Sequence, residues 1–177
     1  GSAGATGGVY LGDLVIYHPD QATHFCEHYD TVYGHLTFNA WPGEDIAEIS
    51  CLREVLLNAY FSGHMTTSIS LPNLESVGGD LSVQGLYTED VRFDNLTAVG
   101  ALRVDQVGTF ASGVVAVEFP ALVETQDQLQ ITMNEMQEVG FPALTTVGDF
   151  FTVNSNDRLL NVDGFPALET VGGYFHM

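Results

Sequence analysis

The stretch LPNLESVGGDLSV (residues 71–83) recurs along the chain and decides its fold. Close copies are DNLTAVGALRV (94–104), PALVETQDQLQI (120–131), PALTTVGDFFTV (142–153) and PALETVGGYFHM (166–177). Successive spacings of 22, 26, 22 and 24 residues separate their leading leucines, which are Leu74, Leu96, Leu122, Leu144 and Leu168. Less regular copies start at Leu52 and continue backwards through 30–38 and 10–16. A repeat of this period is typical of a solenoid. We expect one domain of seven to eight coils over residues 9–177, preceded by a flexible linker or tag remnant at 1–8.

The apolar positions within each copy describe one coil. A leucine and the valine three residues later, such as Leu74 and Val77, point inward at a corner. Glycine pairs such as 78–79 and 172–173 then form a turn in which we expect positive φ. A short strand follows, as at 81–83, in which alternate residues face the core. Because one coil cannot bury its apolar face alone, the sequence predicts an all-β fold, a right-handed parallel β-solenoid, with a short N-terminal capping helix.

The repeat also carries a resemblance to a known family. The front of the chain has a C-x(5)-V-x-G-x-L-x-F segment formed by Cys26, Val32, Gly34, Leu36 and Phe38. The later segments 74–83, 144–153 and 168–177 follow the form L-x-x-V-G-x-x-L/F-x-V/M. These features resemble the receptor L-domain, a leucine-rich-repeat-like solenoid of receptor ectodomains and of fungal and bacterial cell-wall proteins and lipoproteins. The resemblance implies an extracellular recognition or cell-surface structural module, usually without catalysis. The copy at 94–104 departs from the form by one missing residue, and the copy at 120–131 lacks the glycine pair.

The charge of the chain is strongly one-sided. Asp and Glu number 23, the four cationic residues are Arg53, Arg92, Arg103 and Arg158, and the net charge at pH 7 is −19. Nucleic acids and anionic membranes bind cationic surfaces, so this charge excludes both as partners. The absence of lysine excludes Schiff-base and P-loop chemistry. Since no window approaches the ~18 consecutive apolar residues that a membrane-spanning helix requires, we expect no membrane-spanning segment.

The two cysteines, Cys26 and Cys51, lie about one coil apart. Neighbouring coils stack directly on each other, so we expect a disulfide that joins the N-terminal cap to the first full coils. The alternative is a pair of free thiols in a reducing cytosol. A disulfide places the protein in an oxidising compartment, which is extracellular, at the cell surface or periplasmic.

Two segments have the residue types of a metal site. The segment HFCEH (24–28) fits H-x-x-E-H, the pattern of a group of zinc peptidases. A capping helix that starts at Pro19, with Asp20 as its N-cap, explains the segment better, and an adventitious metal site is the other alternative. The stretch 154–157 begins like a calcium loop but lacks the glycine and glutamate that complete one. We therefore predict no metal and no cofactor, with calcium as the alternative at this stretch.

Outward positions of the strands form rows along the solenoid, and these rows are the candidate ligand surface. Phe150 and Tyr174 occupy the same position in adjacent coils, so we expect their rings to stack. The loop around Phe110 is longer than a turn requires, and such insertions often bind partners. The predicted partner-binding residues are Phe150, Tyr174, Gln128, Arg103, Thr152, His176 and Phe110.

These observations predict a non-catalytic extracellular recognition, adhesion or cell-surface structural module that binds a protein or a glycan. The alternative is a glycan-active β-solenoid enzyme that uses acidic residues, because paired carboxylates can cleave glycosidic bonds. We also expect self-association as an alternative partner interaction, since a bare edge of parallel strands in the last coil favours pairing with another chain.

Overall fold

The described residues form a β-solenoid of about six turns with one short helix, which confirms the predicted fold class. The structure is a computed structural model and describes residues 7–40, 46–63, 68–84, 90–107, 116–132, 135, 137–160 and 164–177. In chain order its elements are β1 (Val9–Leu11), β2 (Leu14–Ile16), α1 (Pro19–His28), β3 (Thr31–Tyr33), β4 (Leu36–Ala40), β5 (Ile46–Glu48), β6 (Glu54–Val55), β7 (Ala59–Gly63), β8 (Ser68–Ser70), β9 (Ser76–Gln84), β10 (Asp90–Arg92), β11 (Ala98–Asp105), β12 (Ala116–Glu118), β13 (Glu124–Thr125), β14 (Leu129–Thr132), β15 (Glu138–Gly140), β16 (Thr146–Val147), β17 (Phe151–Asn154), β18 (Thr170–Val171) and β19 (Phe175–His176).

The strands stack as three parallel faces. The first face has the order β1-β3-β6-β9-β11-β13-β16-β18, and the second has the order β2-β4-β7-β9-β11-β14-β17-β19. The third face has the order β15-β12-β10-β8-β5. In most coils a bend separates the strands of the first and second faces, whereas β9 and β11 run through both without a break. A residue therefore lies directly above its equivalent in the previous coil.

The repeated leucines and valines form continuous ladders in the interior. The leucine ladder is completely buried at Leu52, Leu74, Leu96, Leu122 and Leu144. The valine three residues later is also buried, as Val77 and Val147 illustrate. These positions confirm the inward direction that the sequence pattern predicts.

A column of phenylalanine rings fills the rest of the interior. Its fully buried members are Phe38, Phe61, Phe93, Phe119 and Phe141, and the partly buried Phe165 extends it. From Phe93 to Phe165 consecutive rings stack at centroid distances of 4.9, 5.0 and 5.1 Å. Each ring fills the space between the coils above and below it, so the column couples the stability of neighbouring coils.

The glycines at the bend between the first and second faces differ from the prediction. Gly78 and Gly172 do not adopt positive φ; among the described glycines only Gly7 and Gly12 do. Gly78 and Gly172 are needed because the backbones of neighbouring coils approach closely at these positions. A Cβ atom on Gly78 would lie 2.3 Å from the carbonyl oxygen of Leu56, and one on Gly172 would lie 2.0 Å from the carbonyl oxygen of Gly148. The bend therefore requires a residue without a side chain, not a left-handed backbone.

Helix α1 covers the N-terminal end of the solenoid and begins at Pro19, as predicted, but its N-cap differs from the prediction. His18 is the N-cap and Pro19 the first helical residue, so Asp20 lies within the first turn and is not the cap. Proline favours this position because its φ is already helical and it has no amide hydrogen to leave unpaired. Phe25 is buried and faces the coils. Within the described ranges, no helix is both long enough and apolar enough to cross a membrane.

The predicted disulfide between Cys26 and Cys51 is present and joins α1 to the following coil. The two Cα atoms are 5.4 Å apart. The bond therefore fixes the helix against the first coils.

We expect that replacing both cysteines with serine lowers the free energy of unfolding by about 3 kcal/mol, because the unfolded chain regains the entropy of a 25-residue loop. Urea denaturation of the wild type and of the double variant measures this difference. The control is dithiothreitol, which is expected to destabilise the wild type and leave the double variant unchanged. Equal denaturation midpoints for the oxidised wild type and the double variant would contradict the prediction.

Candidate functional site

Six of the seven predicted partner-binding residues lie on the outer side of the second face. Arg103 pairs in register with Gln130, Gln130 with Thr152, and Thr152 with His176. Gln128, Phe150 and Tyr174 form the adjacent row, in which each residue directly precedes a strand of the second face, namely β14, β17 and β19. The seventh residue, Phe110, lies outside the described residues. We call the surface formed by these two rows the outer second face.

The aromatic pair stacks as the sequence predicts. The ring centroids of Phe150 and Tyr174 are 5.0 Å apart and their planes differ by 2°. Tyr174 is 61 % exposed, so the pair presents an apolar surface to solvent. Thr152, in the neighbouring row, is nearly buried between its neighbours, and His176 is exposed. A flat aromatic surface beside polar groups can bind a ligand that has both apolar and hydroxyl-bearing faces.

A groove of about 190 Å³ lies at the end of the outer second face that holds Arg103 and Gln128. Its polar lining residues are Tyr60, Asp80, Ser82, Arg103 and Gln128. Its floor is formed by Leu81, Ala101 and Leu102, all of which are buried.

A register shift creates the groove. Val99 pairs with Val77, but Ala101 pairs with Asp80, so β11 passes the bend with one residue fewer than β9. This is the missing residue of the copy at 94–104. The shift places the small side chain of Ala101 opposite Asp80, between larger residues of the neighbouring coils. The short side chain leaves a depression there.

Arg103 differs from the other three arginines in its surroundings. Arg53 pairs with Glu75, Arg92 with Asp94 and Glu118, and Arg158 with Glu135. The hydrogen bonds that Arg53 and Arg92 donate to these carboxylates raise the pKa values of the two guanidinium groups above their usual range. Arg103 is exposed and makes no ion pair with any residue that the structure describes. In a chain of net charge −19, this leaves the guanidinium of Arg103 available to a ligand.

Asn58 orders the edge of the groove. Its side-chain oxygen accepts a hydrogen bond from the amide of Asp80 at 3.0 Å, and its side-chain nitrogen donates to the hydroxyl of Tyr60 at 2.9 Å. Neither Asn58 nor Tyr60 is among the predicted partner-binding residues. Tyr60 precedes Ser82 by 22 residues, which is the spacing between Leu52 and Leu74, so counting the repeat backwards could have found it.

One side chain of the stretch 154–157 forms a hydrogen bond within the fold. The side chain of Asn156 donates a hydrogen bond to the carbonyl oxygen of Ile131 in the previous coil, at 2.9 Å. Ser155 has a φ of 54° and makes the turn. The Asn156 amide therefore supports the backbone, as asparagines after a strand often do.

The other set of potential ligand groups lies on α1, away from the outer second face. His24, Glu27 and His28 are exposed, and they form the one cluster of three potential metal ligands among the described residues. Cys26 lies within the same segment and is occupied by the disulfide.

No protein-family model, curated protein or solved structure matches the chain. Membership of the receptor L-domain family therefore stays a prediction that depends on the sequence motifs.

Proposed function

We propose that this protein is a non-catalytic extracellular recognition module, similar to the receptor L-domain, that binds a glycan or protein partner on the outer second face. The observation that carries the proposal is Arg103, an exposed cation without an ion-pair partner among the described residues, in a polar groove of a strongly acidic chain. A guanidinium group there can donate two parallel hydrogen bonds to a ligand carboxylate or hydroxyl pair.

The size and chemistry of the surface favour a glycan over a protein. Arg103 and Tyr174 lie three coils apart, which corresponds to about 14 Å at the spacing of neighbouring strands. Between them the surface has the amide side chains of Gln128 and Gln130 and the hydroxyl group of Thr152. It also has the aromatic stack of Phe150 and Tyr174. An extended chain of sugars offers hydroxyl groups to the amides and apolar ring faces to the aromatic stack. Recognition of a protein segment is the second candidate function.

The arrangement of acidic residues supports binding without catalysis. Glycoside hydrolysis generally requires two carboxyl groups that flank the scissile bond. Of the described residues, Asp80 is the one carboxylate that lines the groove. The alternative function, a glycan-active enzyme, predicts new reducing ends or unsaturated products when polysaccharides are incubated with the protein.

The setting that we propose is extracellular, at the cell surface or periplasmic. The disulfide between Cys26 and Cys51 supports an oxidising compartment. The acidic surface is compatible with a cation-rich exterior. Self-association is part of this proposal as an alternative partner interaction.

We expect a glycan array to identify at least one glycan that binds the wild type and loses affinity when the outer second face is changed. Arg103→Ala should weaken binding about tenfold or more, since a hydrogen bond to a charged group contributes roughly 1.5–3 kcal/mol. Tyr174→Ser should also weaken binding, because it removes one ring of the aromatic stack. Biolayer interferometry on the selected glycan measures the change.

The matched control is Tyr33→Ser. Tyr33 lies on the first face and is 59 % exposed, close to the exposure of Tyr174, so its loss removes a similar aromatic surface elsewhere. Equal losses in Tyr33→Ser and Tyr174→Ser would contradict the assignment of the surface. If a protein partner is found instead, the same variants test whether it uses this face.

A further inference from the structure

We propose that His24, Glu27 and His28 on α1 form a surface binding site for a borderline transition metal, with Zn²⁺ as the typical ion. The three side chains each offer one ligand atom, and these atoms all lie within 4.8 Å of one another. Glu27 Oε2 lies between the two imidazoles, 3.4 Å from His24 Nδ1 and 3.9 Å from His28 Nε2. This convergence of two imidazoles and a carboxylate is independent of the outer second face.

The helix spacing accounts for the convergence. Residues three and four apart lie on the same side of a helix, so His24 and His28 face each other across one turn and Glu27 lies beside them. Their imidazole rings contact edge-on at a centroid distance of 5.3 Å. Two ligands at about 2.05 Å from a tetrahedral zinc lie about 3.4 Å apart. Side-chain rotations alone can close the remaining gap, because all three residues are exposed.

The site is held rigidly from the inner side of the helix. Cys26 lies between the two histidines in the sequence and is bonded to Cys51 of the following coil. Phe25 and Ala22 are buried against the solenoid. A short helix that frays would lose the spacing of its histidines, and this one is attached by a covalent bond in its last turn and by packing. The backbone is therefore preorganised before any ion binds.

The ligand types select the class of ion. Imidazole nitrogen with one carboxylate favours Zn²⁺, Ni²⁺ or Cu²⁺, whereas Ca²⁺ and Mg²⁺ require sets of oxygen ligands. Three protein ligands leave a fourth position for water or for a group from another molecule. His24 also lines a cleft of about 520 Å³ between α1 and the first coil, so an ion held by His24 would lie next to this space. The net charge of −19 raises the concentration of cations near the surface.

Isothermal titration calorimetry of the oxidised full chain with zinc chloride tests the proposal. We expect one zinc ion per chain. His24→Ala and His28→Ala should each lower the affinity about tenfold or more, the effect typical of disturbing a metal site. Glu27→Gln keeps the shape of Glu27 but removes its charge and replaces one acceptor oxygen with an NH2 group, so a weaker affinity in this variant supports Glu27 as a ligand.

The matched control is His176→Ala, which removes an exposed histidine at the opposite end of the solenoid and should leave zinc affinity unchanged. Circular dichroism confirms that each variant is folded, and the visible spectrum of the Co²⁺ form reports the coordination geometry. The proposal is overturned if millimolar zinc produces no binding heat. It is equally overturned if zinc binds with the same affinity to His24→Ala, His28→Ala and the wild type.

Discussion

Replacing Phe119 with alanine will lower the free energy of unfolding by about 4 kcal/mol, since a buried phenylalanine truncated to alanine typically costs about 3–5 kcal/mol. Phe119 is completely buried and stacks between Phe93 at 4.9 Å and Phe141 at 5.0 Å. Its removal leaves a cavity in the middle of the phenylalanine column and separates the coils on either side. Equilibrium denaturation in urea, followed by circular dichroism, measures the loss.

Phe175→Ala is the control for the same chemical change at the end of the solenoid. Phe175 contacts Phe151 at 5.0 Å but is 53 % exposed, so its removal should have a much smaller effect. Phe119→Leu keeps more of the volume and should lie between the two. If Phe119→Ala and Phe175→Ala lower the free energy of unfolding by similar amounts, the buried phenylalanine column does not contribute more to stability than an exposed ring.

Replacing Gly148 with alanine will destabilise the fold by at least about 3 kcal/mol, the upper end of the usual range for overpacking. A Cβ atom at this position would lie 1.9 Å from the carbonyl oxygen of Gln126 in the previous coil. That oxygen belongs to the backbone and cannot rotate away as a side chain can. The two coils must therefore separate at the bend, which strains the hydrogen bonds between β13 and β16. Thermal and urea denaturation measure the change.

Gly140→Ala is the matched control for this prediction. A Cβ atom on Gly140 would meet only the Cγ atom of Glu118 at 3.7 Å, which is ordinary contact. Alanine at a compatible glycine position reduces the entropy of the unfolded chain, so a change between zero and a gain of about 1 kcal/mol is expected. If Gly148→Ala is as stable as Gly140→Ala, the close approach at the bend is not a constraint on the sequence.

Much of the fold can be predicted because the residues within one copy of the repeat already show which side of a coil faces inward. Leu74 and Val77 are both buried, and the equivalent leucine and valine of other copies, such as Leu144 and Val147, are buried as well. Stacking follows because an isolated coil would expose this apolar side. The disulfide and the stack of Phe150 on Tyr174 are predicted correctly for the same reason, since each joins equivalent or neighbouring positions of adjacent coils.

The parts that could not be predicted depend on contacts between backbones of different coils. The bend glycines illustrate this: a glycine pair in the sequence is compatible with positive φ or with close approach, and only the position of the Leu56 carbonyl oxygen shows that Gly78 meets the second condition. The N-cap of α1 is a second feature that was not predicted correctly. Asp20 is a favourable N-cap by residue type, but Pro19 is accommodated as the first helical residue and moves the cap to His18.

The sequence by itself determined the solenoid, its inward ladders, its disulfide and the row of outward residues that includes Arg103, Phe150 and Tyr174, because a regular period relates each residue to its equivalent in the next coil. The tertiary structure alone decided how the outward residues combine into a groove. The register shift before Ala101 places this small residue opposite Asp80, which opens the groove that Asp80 and Arg103 line. The physical reason is that a missing residue at one bend changes the pairing of whole strands, and the size of that change depends on how the coils pack.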